Sequence, residues 1–135
     1  MGNEFMGSCL CGKVEFKVLG RFESFFLCHC QRCRKSTGSA HGANLFSHSA
    51  EINWCKGEEH IRTYRVPDTL HERSFCQECG SALPMLQMNG DLVVVPAGSL
   101  DSAFDMRPSA HIFYASRADW DKDLGAVQKQ DGLPS

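Results

Sequence analysis

The sequence predicts an all-β protein made of small antiparallel sheets, with bound zinc replacing part of the core. Three observations point there. Short alternating or β-branched stretches recur between turn signals at intervals of about eight to twelve residues. No stretch carries the 3.6-residue apolar period of a long amphipathic helix. Seven of the eight cysteines fall in three tight clusters, which a short chain can use to cross-link itself through metal.

The elements follow in order. Val14 to Leu19 (VEFKVL) alternates apolar and polar residues as a half-buried strand does. Phe22 to Leu27 (FESFFL) reads as a second strand running into Cys28, and the short Gly20-Arg21 link predicts a hairpin between the two. Gln31 to Ser36 is expected to form a helical turn ended near Gly38, and the Ser/Gly-rich stretch after it, with His41 and His48, reads as a loop. Further strands are expected at Ile52 to Lys56, His60 to Arg65, Leu70 to Cys76 and Ala82 to Met88. They are separated by Gly57-Glu58-Glu59, Pro67-Asp68 and Cys79-Gly80. Asn89-Gly90-Asp91 is a turn leading into the apolar run Leu92 to Val95, and His111 to Tyr114 reads as a last strand. Trp54 and Trp120 are expected to fill the core, and Cys55 to be a small buried hydrophobe. The whole chain, 1–135, reads as a single domain with a polar tail, 126–135, expected to fray.

Composition narrows the function classes. The 135 residues are 42% hydrophobic and 22% charged, a mixture typical of folded globular chains. The formal net charge of −2 disfavours a nucleic-acid binder, which needs a surplus of Lys and Arg. No apolar run approaches the ~18 residues of a membrane span, so no membrane partner is expected. The opening MGNEFMGSCL has neither a basic nor an apolar signal region, and Met6 stands where an acylation signal needs Ser or Thr. The expected compartment is therefore the reducing cytoplasm, where clustered cysteines bind metal more often than they pair.

Cys9 and Cys11 form C-x-C; Cys28, Cys30 and Cys33 form C-x-C-x-x-C; Cys76 and Cys79 form C-x-x-C. In an extended segment, residues i and i+2 point the same way, so a C-x-C pair can share one ion. The run FCQECGS adds Gly80, whose access to the left-handed conformation lets backbone N–H groups turn toward the sulfurs; Gly12 follows Cys11 in the same way. Seven thiolates divide economically into four and three. Cys9, Cys11, Cys76 and Cys79 make a closed structural site, and Cys28, Cys30 and Cys33 make a site with one position open, the mark of catalytic zinc. A competing division makes all seven structural, with Cys55, His29 or a distant histidine as the eighth ligand. His29 is disfavoured because its side chain should point away from those of Cys28 and Cys30. Disulfides and a redox C-x-x-C are weaker alternatives.

Taken in order, GSCLCGKVEF, CHCQRCRKSTG, RSFCQECGSAL, AGSLD and PSAHIFYASRADW resemble the glutathione-dependent formaldehyde-activating enzyme family, which also includes centromere protein V. The resemblance spans residues 7–120. It implies a β-tent fold with a structural zinc on Cys9, Cys11, Cys76 and Cys79. It also implies a second, exchangeable zinc on Cys28, Cys30 and Cys33, near where glutathione binds. The activity it implies is a carbon–sulfur lyase reaction run in the adduct-forming direction, which joins formaldehyde and glutathione into S-hydroxymethylglutathione. The alternative within the family is a non-catalytic zinc-binding interaction module, or a metal or thiol buffer.

Cys28, Cys30 and Cys33 are thus the expected catalytic residues, with a small-molecule thiol or aldehyde adduct as partner. Arg32, Arg34 and Lys35 beside them are placed to attract the carboxylates of glutathione, or else only to offset thiolate charge. Two zinc ions held by seven thiolates would move the net charge from −2 to about −5. His111 is a candidate proton donor, since histidine titrates near neutrality, though a packed or exposed strand residue is the plainer reading. Ser99 and Asp101 belong either to the pocket or to a turn.

Overall fold

In a computed structural model that describes residues 3–134, eleven strands and one α-helix form three separate sheets. The fold class is all-β, as the sequence predicts. The acylation and signal readings that begin at Met1 and Gly2, and the last tail residue Ser135, lie outside the described residues.

The first sheet joins β1 (Glu4–Ser8), β2 (Glu15–Leu19) and β5 (Glu51–Lys56) in the order β1-β2-β5, all antiparallel. The alternation seen in the sequence places Val14, Phe16 and Val18 inward, and all three are fully buried. Trp54 is half-buried and meets Phe16 edge-on, with ring centroids 5.8 Å apart. Cys55 is exposed, which corrects the expectation of a buried hydrophobe. The β2–β5 register slips between Glu15 and Phe16, opposite Lys56 and Trp54, so Cys55 is the unpaired residue of a β-bulge and turns outward.

The second sheet runs β11-β3-β4-β10-β9, from β3 (Ser24–Cys28), β4 (Gly42–Ser47), β9 (Met85–Gln87), β10 (Leu92–Pro96) and β11 (Ala110–Ile112). β11 joins β3 in parallel, the one departure from antiparallel pairing. The predicted hairpin across Gly20-Arg21 does not form. Both edges of β2 are taken by β1 and β5, and β3 pairs with β4 in the other sheet. β4 occupies the stretch that reads as a loop. Its buried positions are Gly42, Leu45 and Ser47, so only one large apolar residue marks the strand. Buried Ser47 donates its hydroxyl to the Arg21 carbonyl at 2.6 Å.

The third sheet is β6 (Ile61–Arg65), β7 (Glu72–Cys76) and β8 (Ala82–Leu83), in that order and antiparallel. The single stretch expected over Ala82 to Met88 is two strands in two sheets. Pro84 sits between β8 and β9, where its missing N–H can donate to neither ladder, and the chain changes sheets there. The core lies where the sheets meet, around Phe16, Leu45, Leu83 and Val95.

The helix α1 (Gln31–Thr37) follows β3 directly, as expected. It ends on Gly38 in the left-handed conformation (φ 63°). After β11 the chain is irregular and mostly exposed, with a short 3-10 turn at Leu124–Ala126. Trp120 is 60% exposed and does not fill the core. In the turn closed by the Asp121 N–H on the Ala118 carbonyl, the inward positions go to Ala118, which is buried, and to Asp121, whose carboxylate reaches a buried histidine.

Candidate metal centres and cleft

Two cysteine clusters assemble, with the memberships the spacing predicts. The first gathers Cys9 and Cys11, from the loop between β1 and β2, with Cys76 and Cys79, from the knuckle between β7 and β8. The Cys9–Cys11 and Cys11–Cys76 sulfur separations are 3.6 Å and 3.9 Å. A tetrahedral ion with metal–sulfur bonds of ~2.3 Å needs sulfurs ~3.8 Å apart, so the donor set fits a four-thiolate centre. A disulfide would need ~2.05 Å, and all eight cysteines are free.

Local backbone chemistry shapes both arms. Gly12 and Gly80 have φ of 80° and 76°, as their place after each cysteine pair predicts. The Gly80 N–H donates to the Cys76 carbonyl at 2.8 Å, and the Val14 N–H points at the Cys9 sulfur at 3.3 Å. The Leu10 N–H donates to the Ser81 hydroxyl at 2.9 Å, tying one arm to the other. The Ser81 hydroxyl, the Ser81 N–H and the Cys11 N–H bring the Cys79 thiol down to about 5. Cys11 is pushed up to about 11: the Lys13 N–H favours its thiolate, but burial and the sulfurs of Cys9, Cys79 and Cys76 together outweigh it. Four thiols this close cannot all ionise without a cation among them.

The second cluster, Cys28, Cys30 and Cys33, lies where β3 runs into α1. Cys30 is the helix N-cap, and its sulfur accepts from the Cys33 N–H at 3.4 Å. Burial works against the Cys30 thiolate. The Cys33 N–H, the sulfurs of Cys33 and Cys28 and the Arg32 N–H outweigh it and bring that thiol below the ordinary range. Burial pushes Cys28 and Cys33 up. A trio in which one sulfur gives up its proton more readily than its neighbours can hold a metal once all three are deprotonated. The three sulfurs leave a tetrahedral ion one position short of closure.

A cleft of about 410 Å³ opens beside Cys33. One wall is Cys33 and Thr37 of α1 with His41 and Asn44 beside and within β4; the other is His71, Arg73 and Gly80 from around β7. The sequence reading missed His71 and Arg73. Arg73 stood in the run RSFCQECGSAL, three residues before Cys76, but nothing in the spacing tied it to a site across the molecule. Burial and then the charges of Arg32 and Arg73 lower the proton affinity of His71, so Arg32 also adds positive charge here. Arg34 is half-buried and Lys35 exposed; neither is among the residues lining this cleft. The Arg34 Nε is buried without a hydrogen-bond partner among the described residues.

Histidines crowd the same end. His29 is fully buried, and its ring nitrogens are not among the donor atoms gathered by Cys28, Cys30 and Cys33. Its Nε2 is 2.8 Å from Nδ1 of His111, and its ring centroid is 5.1 Å from that of His41. Burial keeps His29 neutral against the opposing pull of the Asp121 carboxylate. His48 lies apart, bonded through Nδ1 to the Asp91 carbonyl. Ser99 bonds back to the Pro96 carbonyl in a 3-10 turn, and Asp101 accepts from Ser8, so both brace the four-cysteine side of the molecule.

The profile of the family described as "Glutathione-dependent formaldehyde-activating enzyme" matches residues 4–116. A Halomonas elongata protein named "Putative glutathione-dependent formaldehyde-activating enzyme" is 34% identical over 121 residues, 84% of this chain and 77% of that one. A Schizosaccharomyces pombe protein named as an uncharacterized lyase is 28% identical over 87 residues, 64% of this chain and 61% of its own. A crystal structure of a Rhodobacter sphaeroides protein superposes with a TM-score of 0.60 at 18% identity, covering 78% of this chain and 98% of the other, and supports the fold alone. The match over most of its length and its 34% identical relative place the chain in the glutathione-dependent formaldehyde-activating enzyme family.

Proposed function

We propose that this protein joins glutathione, or a similar small thiol, to formaldehyde, as a carbon–sulfur lyase working in the adduct-forming direction. The observation that carries the reading is a three-thiol cluster whose Cys33 lines a cleft that Arg73 and His71 line as well. Family membership supports the thiol and the aldehyde as the substrate classes. Cys9, Cys11, Cys76 and Cys79 hold a structural zinc, and Cys28, Cys30 and Cys33 hold a second, exchangeable one. When bound to the trio, zinc supplies a charge that favours the thiolate form of an incoming thiol.

The chain's own residues do the rest. Arg73 and His71 receive a substrate carboxylate, and Arg32, Arg34 and Lys35 add a positive field at the mouth of the site. The cleft holds the thiol and the aldehyde at attack distance. The sulfur pair forms the C–S bond, the carbonyl π pair moves to oxygen, and the proton lost by the thiol is matched by one gained at the new hydroxyl. Cys30→Ser is expected to abolish S-hydroxymethylglutathione formation, followed by NMR of the adduct, while the far-UV circular dichroism stays native. Full activity in Cys30→Ser would overturn the open-site reading. Zinc retention with no turnover by the wild type would favour the non-catalytic module.

A further inference from the structure

His111 is an exposed side chain on β11, and one of its ring nitrogens is already committed. Its Nδ1 lies 2.8 Å from His29 Nε2. On the other side of His29, Nδ1 lies 3.1 Å from Asp121 Oδ2. That contact is short but off-line in angle. Nδ1 and Oδ2 are both buried and neither makes a hydrogen bond among the described residues, so it is the nearby carboxylate charge that acts on the ring. A carboxylate only accepts, so the His29 proton belongs on Nδ1. The neutral ring then offers a lone pair at Nε2, and the bond to His111 requires His111 to donate from its own Nδ1. The lone pair of His111 is left on Nε2, the nitrogen not committed to His29. Asp121 thus dictates, through one buried ring, which nitrogen of an exposed ring is free to take a proton.

The surroundings fix the orientation as well. The Tyr114 ring stands edge-on to His29, with centroids 5.1 Å apart at 87°, and Arg117 lies 4.3 Å over Tyr114. His29 follows Cys28 directly, and Ile112, next to His111, is registered against Cys28. His41, whose ring centroid is 6.5 Å from that of His111, lines the cleft beside Cys33. The free nitrogen therefore belongs to the end of the molecule that carries the three-cysteine cluster. Asp121 lies beyond the residues 4–116 that match the family profile.

We propose that Asp121 and His29 are positioning residues that hold His111 as its Nδ1–H tautomer, making His111 Nε2 the proton acceptor and donor for thiol addition to the aldehyde. The proposal rests on the reaction given above. The thiol S–H bond breaks and its proton passes to His111 Nε2. The sulfur pair forms the C–S bond, the carbonyl π pair moves to oxygen, and His111 Nε2 returns the proton to that oxygen. The ring ends as it began, and no oxidant or further reactant is needed.

The test uses the zinc-loaded full chain and reads the histidine ring nitrogens by 15N NMR alongside turnover of glutathione with formaldehyde. In the wild type, His29 and His111 should both carry the proton on Nδ1. Asp121→Ala should move both protons to Nε2 and lower kcat at least tenfold, with KM for glutathione within twofold. Asp121→Asn keeps an oxygen acceptor and should restore both tautomers and most of kcat. His111→Asn retains a donor toward His29 but lacks the second nitrogen. It should keep the His29 signal and lose kcat at least tenfold, and it decides the matter if Asp121→Ala does not fold. A wild-type His111 protonated at Nε2, an Asp121→Ala protein with native tautomers, or a His111→Asn protein with native kcat overturns the proposal. A wild type that makes no glutathione adduct overturns the reaction above, while the ring nitrogens still decide whether Asp121 sets the tautomers.

Discussion

Replacing Cys76 by serine tests the division of labour between the two cysteine clusters. Cys76 has no exposed surface, and its sulfur faces that of Cys11 across 65 residues of chain. A cross-link closing a loop of that length stabilises a fold by ~4 kcal/mol in the chain-entropy account. The serine also leaves a buried hydroxyl in a site built for sulfur, at a cost of ~1–3 kcal/mol. Together these approach the whole stability of an ordinary domain, about 5–15 kcal/mol. At ~4 °C per kcal/mol for a chain of this length, Cys76→Ser should lower the melting temperature by ~15 °C or more. Cys30→Ser removes a ligand within a segment that β3 and α1 already order, so its loss should stay below ~5 °C. The assay is thermal melting of zinc-loaded wild type and both variants, with zinc per chain measured by elemental analysis. If Cys76→Ser melts within ~5 °C of wild type, or the two variants fall equally, the four-cysteine centre does not staple the fold.

Arg73→Ala should raise KM for glutathione about tenfold, with kcat changed far less, because a charged hydrogen bond to a substrate carboxylate is worth ~1.5–3 kcal/mol; steady-state kinetics checks it, and an unchanged KM removes Arg73 from the binding site. Glu23 accepts from the His48 N–H at 2.7 Å and from the Ser49 hydroxyl at 3.0 Å, and these bonds hold its carboxyl below the usual 4.5. Between that lowered value and 4.5 the unfolded chain binds more protons than the folded one, so stability rises with pH there. The contribution is complete above pH ~4.5 and is lost as pH falls through the folded value. Urea melts from pH 3 to 6 should show a shallower acid limb for Glu23→Gln than for wild type, and identical limbs would refute this account.

The sequence made the cysteine geometry legible because metal ligands advertise themselves by spacing. Gly12 and Gly80 carried a second signal, since a residue following each thiol pair had to turn through positive φ. Strand β4 was hidden because two of its three buried residues are Gly42 and Ser47, and a period-2 apolar pattern needs larger residues to be visible. Sheet membership was hidden as well. The Gly20-Arg21 link looks the same whether the next strand folds back or crosses to another sheet, and only the claims of β1 and β5 on β2 decide it. Cys55 and Trp120 failed for one shared reason. A bulge or a turn reverses which neighbour faces inward, and composition carries no record of that phase. Asp121 had no local signal at all, because its partner His29 lies in another part of the chain and the tail around it is full of acids.

The position of the cleft links the two cysteine clusters of this chain. The knuckle carrying Cys76 and Cys79 joins β7 to β8 in the third sheet, whereas Cys9 and Cys11 belong to the loop that opens β2 in the first. Sheet hydrogen bonds do not join these two sheets. The cleft is lined by Arg73 and Gly80 from around the third sheet and by Cys33 and Thr37 of α1. Gly80 belongs at once to the knuckle and to that lining. A grip on Cys76 and Cys79 therefore also fixes the distance from Arg73 to the three-cysteine cluster, and misplacement by about 1 Å is enough to cost a reaction that depends on positioning roughly a hundredfold. With metal bound as proposed, a closed four-thiolate centre and an open trio would be complementary: the first would have to stay loaded for the second to keep its place in the cleft.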